Sequence, residues 1–165
     1  MSRVNITKDF LIGGRAIFTV AVNDLTALDT DKSKDRHYTY MITQKQDAQN
    51  EGKVIYFASH LCGPNNDNPF DYNYLGVFSP TTGTVFLTAG SKYKKEDKPV
   101  HALNYALNVI YERPIKEYKK KWSVDILHCG RCSKCNLKLT TPQSLERGMG
   151  PKCVNDVRKR GVMMA

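Results

Sequence analysis

The chain lacks a long apolar run and a secretory signal peptide, which argues against a membrane protein and against a secreted one. It also lacks the glycine-rich phosphate loop, the dinucleotide-binding fingerprint and the nucleophile elbow of α/β-hydrolases. These absences leave no positive indication of catalysis. We therefore expect a cytoplasmic protein that is not an enzyme.

Cysteine is scarce, with five in 165 residues, and four of the five lie in one stretch near the C-terminus. A chain of this length buries a core without covalent cross-links, and an odd number disfavours a disulfide framework. Cys132 and Cys135 have the Cys-x-x-Cys spacing that holds two thiolates on one side of a metal ion. Cys153 follows Gly150-Pro151 at an expected helix start, where the helix dipole favours a thiolate.

A structural zinc ion needs four ligands, and the spacing leaves the fourth open. Cys129 would complete an all-cysteine site, whereas His128 would give three cysteines and one histidine. We do not expect both on one ion, because adjacent residues of an extended strand point to opposite sides. A redox pair and a catalytic zinc with one open position are the weaker alternatives. We expect one closed, structural Zn²⁺.

Positive charge is concentrated in the last third of the chain. The formal net charge is +9, and residues 1–112 contribute none of it, because they hold 12 basic and 12 acidic residues. A basic surface around a zinc module is typical of phosphate binding, which favours DNA or RNA as the partner. The alternatives are an acidic protein partner and a face that only adds solubility. The candidate phosphate contacts are Arg131, Lys134, Lys138, Arg158, Lys159 and Arg160.

The first 90 residues indicate β-strands. Segments rich in β-branched and aromatic residues alternate with short polar or glycine-containing links, which predicts an antiparallel sheet of about five strands. The last two strands flank a five-residue turn and should form a hairpin. The predicted strands are 16–22, 37–43, 54–58, 74–78 and 84–88.

The periodicity then becomes helical. Asp97-Lys98-Pro99 is a helix-start signal, and the helix after it should cover one face of the sheet and end before Pro114. A short strand at 122–127 leads into the zinc module. Within that module, Thr141-Pro142 should cap a helical turn that ends at Gly148.

The predicted fold class is therefore α+β: a small antiparallel sheet covered by one helix, followed by a treble-clef-like zinc module. The predicted domains are a β-rich α+β domain at residues 1–113 and a basic zinc-binding module at residues 114–165. The sequence does not indicate the oligomeric state.

Outside the module, the sequence offers little chemistry. His60 and Cys62 are one residue apart, but no suitably spaced Asp or Asn predicts a catalytic triad. We interpret each of them as a packed or surface residue.

Two blocks of the C-terminal stretch resemble a family of small, uncharacterised zinc-finger-like domains that are common in bacterial and phage genomes. The blocks read Cys-x-x-Cys-x-x-x-Leu-Thr-x-Pro-x-Ser from Cys132, and Gly-x-Gly-Pro-x-Cys ending at Cys153. Many members carry a histidine four residues before the first cysteine, which favours His128 as the fourth ligand. The chain departs from the pattern at Asn136-Leu137, where Gly-Arg is common, and at Cys129.

This resemblance implies a zinc-binding, phage-encoded accessory protein in the host cytoplasm, and it implies no reaction. Nucleic acid is the favoured partner of the basic module. The alternative is a module that binds or inhibits a host protein, such as a defence or transcription enzyme.

Overall fold

A six-stranded sheet forms the centre of the protein. The structure, a computed structural model, describes residues 4–24, 36–46, 52–65, 68–113 and 122–164. In chain order its elements are α1 (Lys8–Leu11), β1 (Arg15–Asp24), β2 (Arg36–Gln46), β3 (Val54–Leu61), β4 (Tyr72–Ser79), β5 (Thr84–Phe86), α2 (Lys98–Ile110), β6 (Trp122–His128), α3 (Pro142–Arg147) and α4 (Pro151–Met164). A 3₁₀ turn at Pro69–Asp71 precedes β4.

The sheet is antiparallel, as predicted, and its strand order is β5-β4-β3-β2-β1-β6. Strands β1 to β5 follow one another in chain order, and β4 and β5 form the predicted hairpin. The last strand, β6, pairs with β1, so that Ile126 lies opposite Val20. This strand comes from the stretch assigned to the zinc module. The domain division at residue 113 stays a prediction, and residues 114–121 lie outside the described residues.

Helix α2 packs against the sheet. The buried side chains of this helix recur at helical spacing and include Val100, Leu103 and Leu107. They share one hydrophobic core with inward-facing residues of the strands, such as Phe18 on β1 and Leu75 on β4. The predicted amphipathic helix is therefore present and lies on the sheet.

The short helix α1 adds to the same core. Its side chains Phe10 and Leu11 are fully buried, and the hydroxyl of Thr7 caps the helix by accepting the N–H of Phe10. The sequence analysis does not predict α1, because four residues are too few to show a helical period.

The cysteine-bearing segment packs directly against α1 and the start of β1. The N–H of Arg15 donates to the carbonyl of Ser133 over 2.7 Å. A β-carbon at Gly13 would overlap the side chain of Ser133, and one at Gly148 would overlap the ring of Phe10. At these two points the C-terminal segment therefore packs closely against α1 and the residues before β1.

Phe10 should therefore be one of the most costly side chains to remove. We expect Phe10→Ala to lower the free energy of unfolding by about 3–5 kcal/mol, since it empties a fully buried site. Phe70→Ala is the matched control, because Phe70 is 94% exposed and its loss should change stability by less than about 0.5 kcal/mol. Chemical denaturation of both variants measures the difference. A loss below about 1 kcal/mol for Phe10→Ala would contradict this packing.

Candidate metal centre

A tight turn between β6 and α3 carries Cys132 and Cys135. The N–H of Cys132 donates to the carbonyl of Leu137 over 2.9 Å, and the N–H of Leu139 donates to the carbonyl of Gly130 over 2.8 Å. The two arms of the turn are thus paired by backbone hydrogen bonds. This pairing fixes the two cysteines on a rigid loop.

Asn136 adopts a left-handed backbone conformation in this turn. Its φ is 64°, which is the left-handed region that favours glycine and that asparagine tolerates better than most residues. Its N–H donates to the carbonyl of Cys132 over 3.0 Å and closes the turn. Asparagine therefore suits this position of the turn.

The third cysteine comes from α4. The hydroxyl of Thr141 caps α3 by accepting the N–H of Ser144, and α3 ends at Gly148 with φ of 71°, as the sequence predicts. The chain then turns into α4, which begins at Pro151 and carries Cys153 in its first turn. A proline at this position costs no helical hydrogen bond.

These elements bring three thiols together. The Sγ atoms of Cys132, Cys135 and Cys153 all lie within 4.8 Å of one another. Sulfurs bound tetrahedrally at the usual zinc–sulfur distance are about 3.8 Å apart, so a small contraction would place all three on one ion. The cluster is a plausible metal site, and its chemistry suits zinc.

The local electrostatics lower the pKa of one thiol and raise the pKa of another. Burial opposes ionisation of Cys132, but N–H groups of Cys135, Gly150 and Lys134 outweigh it and lower the pKa of Cys132. Burial and the neighbouring sulfurs raise the pKa of Cys153 to about 12. Without a cation, the cluster therefore does not carry three negative charges at neutral pH.

His128 and Cys129 do not belong to the group of mutually close thiols. The ring of His128 lies 5.6 Å from that of Phe10, its Nδ1 accepts the N–H of Gly130 over 2.9 Å, and its Nε2 donates to the carbonyl of Leu145. Cys129 is exposed. The choice of fourth ligand stays a prediction.

Two of the six candidate phosphate contacts are engaged in ion pairs. The ammonium of Lys134 lies 2.9 Å from the carboxylate of Asp156, whose pKa it lowers by its hydrogen bond and its charge. The guanidinium of Arg158 lies 3.0 Å from the carboxylate of Asp9. Both pairs are partly exposed, so each contributes little to stability.

Of the other four candidate contacts, Arg131 and Lys138 lie on the turn, and Lys159 and Arg160 lie on α4. Arg131 donates to the carbonyl of Asn136 over 3.3 Å, and Lys138 and Lys159 are exposed. Arg160 is on α4, and its side chain is outside the described residues.

A cavity of about 600 Å³ adjoins the thiols. Three lysines, Lys134, Lys138 and Lys152, line this cavity together with Asp156. Positive side chains therefore outnumber negative ones around the opening beside the cysteines.

A family of unknown function, DUF6011, matches residues 126–158 of the chain. The match begins in β6 and ends in α4, so it contains all the candidate metal ligands. No curated protein and no solved structure matches the chain. Within the described ranges, none of the helices has the length and apolar character needed to cross a membrane.

The sequence analysis did not predict that the cysteine-bearing turn packs against the glycines before β1. Ser133 lies between the two cysteines of the turn and is only 1% exposed, packed against Gly13. The available signal was the Gly13-Gly14 pair before β1, since adjacent glycines allow another backbone to approach closely.

Metal affinity should rise with pH. Cys153 holds its proton in the absence of metal and must lose it to bind, so the apparent Zn²⁺ affinity should increase at least about tenfold per pH unit between pH 6 and 8. Competition with a chromophoric chelator, corrected for the chelator's own protonation, measures this slope. A pH-independent affinity would show that Cys153 is not a ligand.

Proposed function

We propose that the protein is a non-enzymatic accessory protein in which one structural Zn²⁺ organises a basic module that binds nucleic acid. The zinc is held by Cys132, Cys135, Cys153 and a fourth ligand, either His128 or Cys129. In this proposal the protein is phage-encoded and acts in the host cytoplasm, where thiols stay reduced.

The convergence of three thiols from two separate elements is the observation that carries the zinc proposal. Cys132 and Cys135 lie on the backbone-paired turn, and Cys153 lies on α4, with all Sγ atoms within 4.8 Å. Cys132 and Cys153 also contact a small hydrophobic cluster, but Cys135 is exposed, so core packing does not explain why its thiol lies beside the other two. A divalent cation would convert this group into a strong cross-link between the turn and the helix.

His128 is the better candidate for the fourth ligand. Its Nε2 already donates to the carbonyl of Leu145, which is the kind of bond that fixes the tautomer of a metal-bound histidine. Its Nδ1 accepts the N–H of Gly130 at 2.9 Å, and exchange of that bond for the metal would complete the site. Cys129 would serve in its place if the turn rearranged.

The proposed module has the order of a treble-clef finger: a zinc turn, a loop with a short helix, and a final helix that supplies the last ligand. Such a site is closed and structural, because four protein ligands leave no position for water. The ion would then fix α4 against the turn and set the positions of the basic side chains.

The charge around the centre supports a polyanionic partner. The net charge of the chain comes from residues after Glu112, and three lysines line the cavity beside the thiols. Lys134 and Arg158 are already paired with Asp156 and Asp9, so phosphate would have to compete for them. We therefore expect Arg131, Lys138 and Lys159 to contribute most.

The zinc proposal predicts that Cys153→Ser loses the metal. Purified protein should contain about one Zn²⁺ per chain, and the variant should contain far less, because only two cysteines of the cluster remain. Cys62→Ser is the matched control, since Cys62 lies outside the cluster, and it should keep its zinc. Elemental analysis measures both. Full zinc content in Cys153→Ser, or none in the parent protein, would refute the proposal.

The nucleic-acid proposal predicts a charge-dependent interaction. The double variant Lys138→Ala/Lys159→Ala should bind short DNA or RNA more weakly and should lower the slope of log affinity against log salt by about two. The control is Lys45→Ala/Lys53→Ala, at exposed positions on β2 and just before β3, which should leave the affinity and the slope unchanged. Fluorescence titration at several salt concentrations measures them.

Two outcomes would contradict nucleic-acid binding: no interaction at low salt, or an equal effect of both double variants. An acidic host protein that stays bound after nuclease treatment of a lysate, together with no binding to DNA or RNA, would favour the protein-interaction alternative instead.

A further inference from the structure

A second group of reactive side chains lies outside the metal centre. Cys62 follows β3, Asn73 is on β4, and Tyr93 precedes α2. The Sγ of Cys62 lies 3.1 Å from the amide nitrogen of Asn73 and 3.5 Å from both the hydroxyl of Tyr93 and Nδ1 of His60. The hydroxyl of Tyr93 lies 2.9 Å from the same Nδ1. An exposed thiol is thus surrounded by three polar groups from separate parts of the chain.

The fold holds this group in place. His60 pairs with Tyr40 in the sheet, and its ring lies within 6 Å of those of Tyr38, Tyr40 and Tyr93, at 5.9, 5.6 and 5.8 Å. The N–H of Cys62 donates to the carbonyl of Asp71 over 2.8 Å. The imidazole and the thiol therefore have little freedom to move apart.

The protonation states suit a base beside a thiol. Burial lowers the pKa of His60, so its ring is neutral at neutral pH and can accept a proton. Burial and the neighbouring Cys62 raise the pKa of Tyr93 to about 12, so its hydroxyl keeps its proton. Neutral Tyr93 can donate to Nδ1 of His60 while it accepts from the thiol.

A metal site is the less suitable interpretation of the same group. A metal site of this kind needs at least three His, Cys, Asp or Glu side chains whose ligand atoms lie close together. Among the described residues, such a group is found at Cys132, Cys135 and Cys153. Here only His60 and Cys62 are of those types. A nucleophile requires only a thiol, a base and a donor that stabilises the thiolate.

We propose that Cys62 is a nucleophilic modification site that takes an electrophilic carbon with a leaving group, such as an acyl ester or thioester. In the step, the thiol proton passes to the oxygen of Tyr93 while the proton of Tyr93 passes to Nδ1 of His60. The thiolate accepts hydrogen bonds from Asn73 and Tyr93. The sulfur–carbon bond forms, the bond to the leaving group breaks, and its electron pair departs with the leaving group, which takes the proton from His60.

This site is independent of the zinc proposal, because it shares no residue with the metal centre. It also requires only one modification per chain, so it is compatible with a protein that does not turn over a substrate.

Iodoacetamide alkylation tests the proposal on the intact, folded protein. The rate at Cys62 is measured by peptide mass spectrometry at pH 7, first in the native protein and then in the chain unfolded in guanidinium chloride. A free cysteine peptide in both solutions corrects for the solvent. Folding alone can only restrict access, so a native rate at least about threefold above the unfolded rate indicates activation. A smaller ratio overturns the proposal.

Matched hydroxyl deletions identify the groups responsible. Tyr93→Phe keeps the ring but removes the relay, and it should lower the native rate at Cys62 at least about threefold. Tyr74→Phe is the control, because the hydroxyl of Tyr74 bonds to Thr88, and it should leave the rate unchanged. His60→Gln should lower the rate to the unfolded value or below, with circular dichroism confirming the fold. An unchanged rate in Tyr93→Phe would overturn the proton relay.

Discussion

Three thiols confined within 4.8 Å of one another cannot all ionise without a cation, and this constraint governs the C-terminal part of the protein. N–H groups of Cys135, Gly150 and Lys134 lower the pKa of Cys132, whereas burial and the neighbouring sulfurs raise the pKa of Cys153. A divalent ion removes the conflict, because it replaces the protons and binds the sulfurs to each other. In the proposed zinc form, the same sulfurs that repel one another as thiolates become the cross-link between the turn and α4.

In the described part of the chain, the candidate metal centre packs directly against the sheet and α1. β6 joins the main sheet beside β1, and the turn that follows is fastened by the hydrogen bond between Arg15 and Ser133. Phe10 packs from the core side against Gly148 at the end of α3. A change at the metal should therefore be transmitted to the edge of the sheet, and a change in the core near Phe10 should disturb the cysteines.

The local patterns of the sequence predict much of this structure. Strands were found where β-branched and aromatic residues cluster, α3 and α4 begin at their prolines, and α2 begins one residue before Pro99. These features depend on short-range chemistry. The position of β6 does not, because pairing of residues around Ile126 with those around Val20 is a tertiary choice that local propensity does not encode. Likewise, the charge pattern counts Lys134 and Arg158 as available, although Asp156 and Asp9 lie beside them in the fold. The group around Cys62 was missed because Asn73 and Tyr93 reach it from distant parts of the sequence.

The central claim is that Cys132, Cys135 and Cys153 hold one zinc ion. X-ray absorption at the zinc edge of the purified protein tests it most directly, because it counts the sulfurs around the metal. The account predicts three sulfurs at about 2.3 Å with one nitrogen at about 2.0–2.1 Å if His128 is the fourth ligand, or four sulfurs if it is Cys129. Fewer than three sulfurs, or protein without zinc that keeps its fold, would contradict it.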